Sequence, residues 1–132
     1  MTDRELLEMA AKAYWGDEID DVCSIRWLDA DQAIGYTHGD NQDHNGQDVE
    51  WCWNPLADDG GALRLAVKLR MGIHYETQFH ADEMTDVVEV FYMRDEDGST
   101  TRCIMQELGA DADAATRRAI VRAAAEIGRA MP

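Results

Sequence analysis

Three segments of this chain repeat apolar residues at helical spacing, and the stretches between them are rich in β-branched and aromatic residues. Each amphipathic helix has an apolar side that must be covered, and strands joined by short turns form an antiparallel sheet. The order along the chain is helix, strands, helix, three strands, helix. It predicts an α+β fold in which an antiparallel sheet of about four to five strands is covered by three helices, as a layered α/β/α sandwich.

The first helix is predicted near residues 3–14, because Thr2 and Glu5 have the spacing of a capping box. Gly16 and an acidic run are predicted to end this helix. The run consists of Asp17, Glu18, Asp20 and Asp21.

The other two helices are placed by their capping residues. Asp58 or Asp59 caps the second helix, which Gly72 is predicted to end, and Asp111 or Asp113 opens the last one. One apolar side of the second helix is predicted to hold Leu63, Ala66, Val67 and Arg70, and it is widened by Ala62, Leu65 and Leu69.

Strands are predicted where β-branched and aromatic residues cluster, near 22–27, 33–38, 73–79, 86–94 and 100–106. The last two are expected to pair as a hairpin through a tight connection at 95–98. Trp51 and Trp53 lie on a further strand, so both side chains must point to one side and that of Cys52 to the other.

The segment 39–48 contains no aliphatic residue and predicts a long exposed loop. Asn41, Asp43, Asn45 and Gly46 match the first positions of an EF-hand calcium loop. The match then fails, because Cys52 stands where a bidentate glutamate is needed. A plain polar loop is the better interpretation.

The 132 residues fit one domain, 1–132, and carry a net charge of −15. This charge repels nucleic-acid phosphates and anionic lipids, which argues against direct nucleic-acid or membrane binding. The chain has neither a signal-peptide pattern nor an apolar run long enough to span a membrane, so a cytoplasmic location is expected. The three cysteines, Cys23, Cys52 and Cys103, are then expected to be reduced.

Two runs carry a family resemblance. The run from Trp53 to Leu69, with the step Trp53-Asn54-Pro55 before a helix, and the run from Arg118 to Gly128 resemble small phage and prophage proteins of the phage ABA-sandwich type, and more distantly NinX-like phage proteins. The resemblance covers about half of the chain. It implies a helix-sheet-helix sandwich and an accessory role in a bacterial host cell, and it transfers no catalytic residue. The insertion 39–48 is not part of that pattern.

The histidines and cysteines are the candidate residues for metal binding and nucleophilic chemistry. His38, His44, His74 and His80 could join Cys52 or Cys103 around zinc, but none of the short ligand spacings of zinc sites is present. Cys23 and Cys103 lie in predicted strands, where a thiol is normally inert core. We therefore expect no cofactor, no metal and no catalytic residue.

Trp51, Trp53 and Asn54 are the candidate binding residues. A tryptophan pair on one face of a strand either fills the core or anchors a partner protein, and Asn54 is expected to cap or turn the chain. The sequence thus favours a non-enzymatic binding module acting on an unidentified host or phage protein, with homodimerisation left open. The alternatives are a small metal-dependent hydrolase and an acidic DNA-mimic inhibitor of a DNA-binding protein.

Overall fold

A computed structural model describes residues 1–16, 19, 23–93 and 101–132, without the side chains of Cys23 and residues 38–41. The described chain is an α+β fold with three helices and six strands. In chain order the elements are α1 (Asp3–Trp15), β1 (Cys23–Leu28), β2 (Ala33–Gln42), β3 (Asp48–Trp53), α2 (Asp59–Lys68), β4 (Gly72–His80), β5 (Glu83–Met93), β6 (Thr101–Glu107) and α3 (Ala112–Ala130).

The strands form two antiparallel sheets of three strands each, in the orders β1-β2-β3 and β4-β5-β6. The sequence predicted one sheet of four to five strands, so the strand count and the number of sheets were wrong. The physical reason is that the strands on either side of α2 each pair only with their neighbours along the chain, and helices separate the two groups. Helix α1 packs on β1 and β2 and also on α3, while α3 packs on β5 and β6.

Each sheet turns one face toward the helices. In β5, Val88, Val90 and Tyr92 alternate along the strand and are buried against the helices, whereas Phe91 and Met93 on the opposite face are exposed. We call that opposite face of the second sheet the outer face. Because it is not covered by any described helix, the arrangement differs from the predicted sandwich with helices on both sides of one sheet.

One core joins the helices to the two sheets. The largest fully buried side chains include Leu7 of α1, Leu65 of α2 and Val121 of α3, together with Ile34 of β2 and Val88 of β5. All five belong to one cluster of buried residues. Alanines dominate the contact between α1 and α3, which lets the two helices approach closely.

The predicted helix starts are confirmed. The Thr2 hydroxyl accepts from the Glu5 amide and the Glu5 carboxylate accepts from the Thr2 amide, which completes the capping box. Asp58 caps α2 and Asp111 caps α3 through their carboxylates. The acidic run at 17–21 that was predicted to follow α1 lies outside the described residues, as does the connection at 95–98.

Helix α2 ends earlier than the sequence indicated. It stops at Lys68, and Gly72, which was predicted to end it, is the first residue of β4. Arg70 between the two elements has a positive φ of 54°, so a non-glycine residue makes the reversal.

The segment 39–48 is not a long loop. Strand β2 continues to Gln42, which pairs with Asp48, and only residues 43–47 form the turn. The Asp43 carboxylate accepts from the amides of Asn45 and Gln47, and Gly46 adopts a φ of 80°. Backbone pairing in the sheet offsets the entropy cost of ordering this segment, which its polar side chains cannot offset by burial. The amino-acid composition of the segment does not reveal this pairing. The Asp43 carboxylate thus organises a turn rather than a calcium loop.

None of the described helices has the length and apolar character that crossing a membrane requires.

Candidate functional site

The two candidate tryptophans share a face of β3 but differ in burial. Trp53 is 7% exposed and packs against Tyr14 and Trp15 of α1, with ring centroids 5.6 and 5.0 Å away. Trp51 is 49% exposed. Helix α1 covers only one end of the strand, so Trp53 packs in the core and Trp51 stays at the surface.

A cleft of about 430 Å³ borders this aromatic cluster. Its lining comprises Tyr14, Trp15, Tyr36, Cys52, Trp53, Asn54, Ala57, Asp58, Gly61 and Arg64. The rings are in contact with one another, so they pack as a cluster and do not form an open aromatic cage for a cation. The cleft is therefore lined by both aromatic and polar side chains.

Asn54 has the turn-forming geometry that its position before Pro55 predicted. Its side chain accepts from the Leu56 amide and donates to the Gln32 carbonyl, at 3.1 Å in each case. Both polar atoms of the amide thus serve the backbone. These contacts give Asn54 a structural role at the edge of the cleft.

Neither of the two cysteines whose side chains the structure describes, Cys52 and Cys103, is an activated nucleophile. Cys103 was predicted to be core, but it is exposed on the outer face, because β6 turns its odd-numbered residues away from α3. Desolvation and the nearby Glu89 and Glu76 raise the pKa of its thiol. Desolvation, followed by Asp31 and Glu50, likewise raises the pKa of Cys52, so both groups stay protonated at neutral pH. The side chains of Cys23 and His38 lie outside the described residues.

A second apolar surface involves other residues of α2. Leu63 and Val67, which were predicted to face the core, are 61% and 68% exposed. The buried side of α2 is instead made by Ala62, Leu65 and Ala66. The sequence pattern was ambiguous here because apolar residues occur on both sides of this helix.

Leu63 lines a groove of about 290 Å³ between α2, β4 and α3, which we call the β4 groove. Its walls are mainly apolar and consist of Asp59, Ala62, Leu63, Ile73, Tyr75, Asp113, Thr116, Arg117 and Ile120. Ile73 and Tyr75 are exposed and point to the same side of β4.

Hydrogen bonds hold the polar walls of the β4 groove in place. The Tyr75 hydroxyl lies 2.9 Å from Thr116 Oγ1. The Thr116 hydroxyl in turn donates to the Ala112 carbonyl. Arg117 donates to the Leu56 carbonyl and forms a 2.6 Å ion pair with Asp59. The groove is therefore built from side chains whose positions are constrained before any ligand arrives.

Strand β4 is also an edge strand. It pairs along all nine residues with β5, and no other described strand pairs with its second side. The same side of β4 carries Thr77 and then Phe79, which is paired with Met84 near the tip of the β4–β5 hairpin. Both side chains are more than two-thirds exposed. An uncovered strand edge beside an apolar groove is a template for pairing with another extended segment.

The outer face of the same sheet carries a different group of side chains. His74 and Glu76 lie two residues apart on β4, and Glu89 is the partner of His74 on β5. Desolvation by its neighbours raises the pKa of Glu89, and the hydrogen bond and negative charge of Glu76 raise it further, while His74 lowers it. His44 lies in the β2–β3 turn and does not belong to this group, so His74 is the only histidine of the cluster among the described side chains.

The chain matches no protein-family model, and no curated protein or solved structure was found to be similar to it. The resemblance to phage sandwich proteins therefore stays a prediction. Function has to be inferred from the geometry of the described surfaces.

Sequence reasoning missed the β4 groove. A signal for it was present, because Ile73, Tyr75 and Phe79 alternate along one strand and Leu63 and Val67 are one turn apart on α2. Both patterns, however, are equally typical of core residues.

Proposed function

We propose that the protein is a non-enzymatic binding module that captures an extended peptide segment of a partner protein by strand addition to β4. The partner's backbone pairs with the open edge of β4, and alternate side chains enter the β4 groove. The observation that carries this proposal is the coincidence of a nine-residue edge strand, whose second side pairs with no other described strand, with a pre-formed apolar groove.

The apolar side chains beside β4 support this role. Exposed single hydrophobic residues are ordinary on protein surfaces, but here Leu63, Ile73 and Tyr75 line one groove. The other edge of the same sheet is less open, because Arg122 donates to the Met105 carbonyl of β6. The β4 edge is thus the better template.

Charge complementarity defines the partner. The chain carries a net charge of −15, and Asp113 lies at the wall of the β4 groove, whose other acidic residue, Asp59, is paired with Arg117. We therefore expect a segment with alternating apolar residues flanked by lysine or arginine. A second copy of this chain is the poorer occupant, because two molecules of this charge repel each other.

This role agrees with the accessory function in the bacterial cytoplasm that the phage resemblance implies, and with the partner-protein hypothesis based on composition. The proposal places the binding surface at the β4 groove and not at Trp51, Trp53 and Asn54. Trp51 remains exposed and can contribute a separate contact.

Selection from a random twelve-residue peptide library displayed on phage tests the proposal. The immobilised chain should enrich peptides with alternating apolar residues and basic flanks. A fluorescent copy of one such peptide should bind with an affinity that Leu63→Asp lowers at least about tenfold, because a carboxylate in the groove must be desolvated. Fluorescence anisotropy measures the affinity.

Met105→Asp is the matched control, since Met105 is exposed on the outer face of the same sheet. It should leave the affinity unchanged. Amide hydrogen exchange should slow along β4 when the peptide is bound. Strand addition at β4 would be contradicted if the library enriched no peptide or if the peptides bound Leu63→Asp as tightly as the wild type. It would also be contradicted if hydrogen exchange slowed at another strand edge instead of β4.

A further inference from the structure

Three side chains on the outer face of the second sheet converge in a way that the binding role does not require. His74, Glu76 and Glu89 each offer one ligand atom, and these three atoms lie within 4.8 Å of one another. No other group of this kind occurs among the described residues. The cluster joins one imidazole nitrogen to two carboxylate oxygens, which is a donor set that Zn²⁺ accepts.

We propose that His74, Glu76 and Glu89 form a binding site for a divalent transition-metal ion of the Zn²⁺ class. The three residues supply three ligands, and a water molecule completes the coordination from the solvent side. This site goes beyond the proposed peptide binding and lies on the opposite face of the sheet.

The backbone sets the spacing of the three ligands. His74 and Glu76 are separated by one residue on β4, so their side chains leave the sheet on the same side. Glu89 faces His74 directly across the β4–β5 pair. Both strands are hydrogen-bonded over this region, so the ligand Cα positions are fixed without loop ordering.

Only small side-chain rotations separate the cluster from coordination geometry. His74 Nε2 and Glu76 Oε2 are 3.9 Å apart. Ligand atoms about 2.1 Å from a tetrahedral Zn²⁺ are about 3.4 Å from one another. A shift of this size lies within the freedom of exposed or half-buried side chains that have rotatable bonds.

The surroundings of the cluster also fit a cation. Gln78 Nε2 donates to Glu76 Oε1 at 3.2 Å, which leaves Oε2 for the ion and orients the carboxylate. Two carboxylates that meet on a protein surface repel each other, and a divalent cation between them removes that repulsion.

Zinc titration of the tag-free protein by isothermal calorimetry tests the site. The wild type should bind one Zn²⁺ per chain. His74→Ala and Glu89→Gln should each weaken this binding at least about tenfold, because each removes a ligand. His80→Ala is the matched control, since His80 lies on the same face of β4 six residues away, and it should leave the affinity unchanged.

A spectroscopic readout separates coordination from non-specific adsorption to an acidic surface. Co²⁺ bound at the site should give visible ligand-field absorption that His74→Ala abolishes. Mg²⁺ should bind much more weakly than Zn²⁺, because it prefers oxygen ligands and its own hydration shell.

The assignment would be overturned by any of three results. These are the absence of stoichiometric zinc binding, equal affinity in the wild type and in both ligand variants, and equal affinity for Mg²⁺ and Zn²⁺. Circular dichroism of each variant shows whether it is folded, and Glu89→Gln keeps the size of a half-buried side chain outside the buried core cluster, so one ligand variant tests the site without altering the core.

Discussion

At the residue scale, Gly128 has the strictest steric requirement in the described chain. A Cβ atom built at this position would overlap the backbone carbonyl of Met9, because α1 and α3 cross there with their backbones in close contact. The backbone nitrogen of Ala13 in α1 also lies 3.3 Å from the same Cβ position. A backbone carbonyl cannot rotate away as a flexible side chain can, so any substitution has to move one helix.

We therefore predict that Gly128→Ala lowers the free energy of unfolding by about 1–3 kcal/mol, although alanine is the better helix former. Urea denaturation measures the effect. Gly60→Ala is the control, because the nearest atom to its added Cβ would be the flexible Nη1 of Arg64 at 3.2 Å. It should be neutral or stabilising, and a loss in Gly60→Ala as large as in Gly128→Ala would contradict the steric explanation.

At the scale of the elements, the first sheet is tied together by an ion pair across its central strand. Arg26 of β1 forms two hydrogen bonds of 2.7 Å with Glu50 of β3. Gly35 of β2 lies between these strands and has no side chain to block the pair. The hydrogen bond from Arg26 holds the pKa of Glu50 below its ordinary value.

This pair predicts a pH dependence. Because the folded carboxyl binds a proton more weakly than the unfolded one, its stabilisation is present above the ordinary pKa of glutamate and is lost as pH falls through the folded pKa. Glu50→Gln should be slightly less stable than the wild type at pH 7, and the difference should shrink as pH falls from the ordinary pKa of glutamate toward about pH 2. Urea midpoints between these pH values measure it, with Glu83→Gln as an exposed control. A difference that stays constant with pH would show that the pair does not act through its charge.

At the scale of the whole molecule, the net charge of −15 acts on every encounter with a partner. The affinity of a basic-flanked peptide for the β4 groove should therefore fall as NaCl rises from about 0.05 to 0.5 M, and most of the change should be in the association rate. Stopped-flow anisotropy measures it. A neutral-flanked version of the same peptide should respond much less, and equal salt responses of the two peptides would contradict charge complementarity.

Much of the fold followed from local patterns. The capping box at Thr2, the Asp58 and Asp111 caps and the strand segments rich in β-branched residues were read from the sequence, because capping and strand propensity act over a few neighbouring residues. The turn geometry of Asn54 was predicted for the same reason.

Only the tertiary structure decided how these elements are arranged and which apolar residues stay exposed. The sequence by itself determined three helices, antiparallel strands and a strongly acidic surface. It did not determine the separation into two sheets, the burial of Trp53 beside an exposed Trp51, or the exposure of Leu63 and Val67. The convergence of His74, Glu76 and Glu89 became visible only with the β4–β5 register, since burial and cross-strand contacts depend on which distant segments pack together.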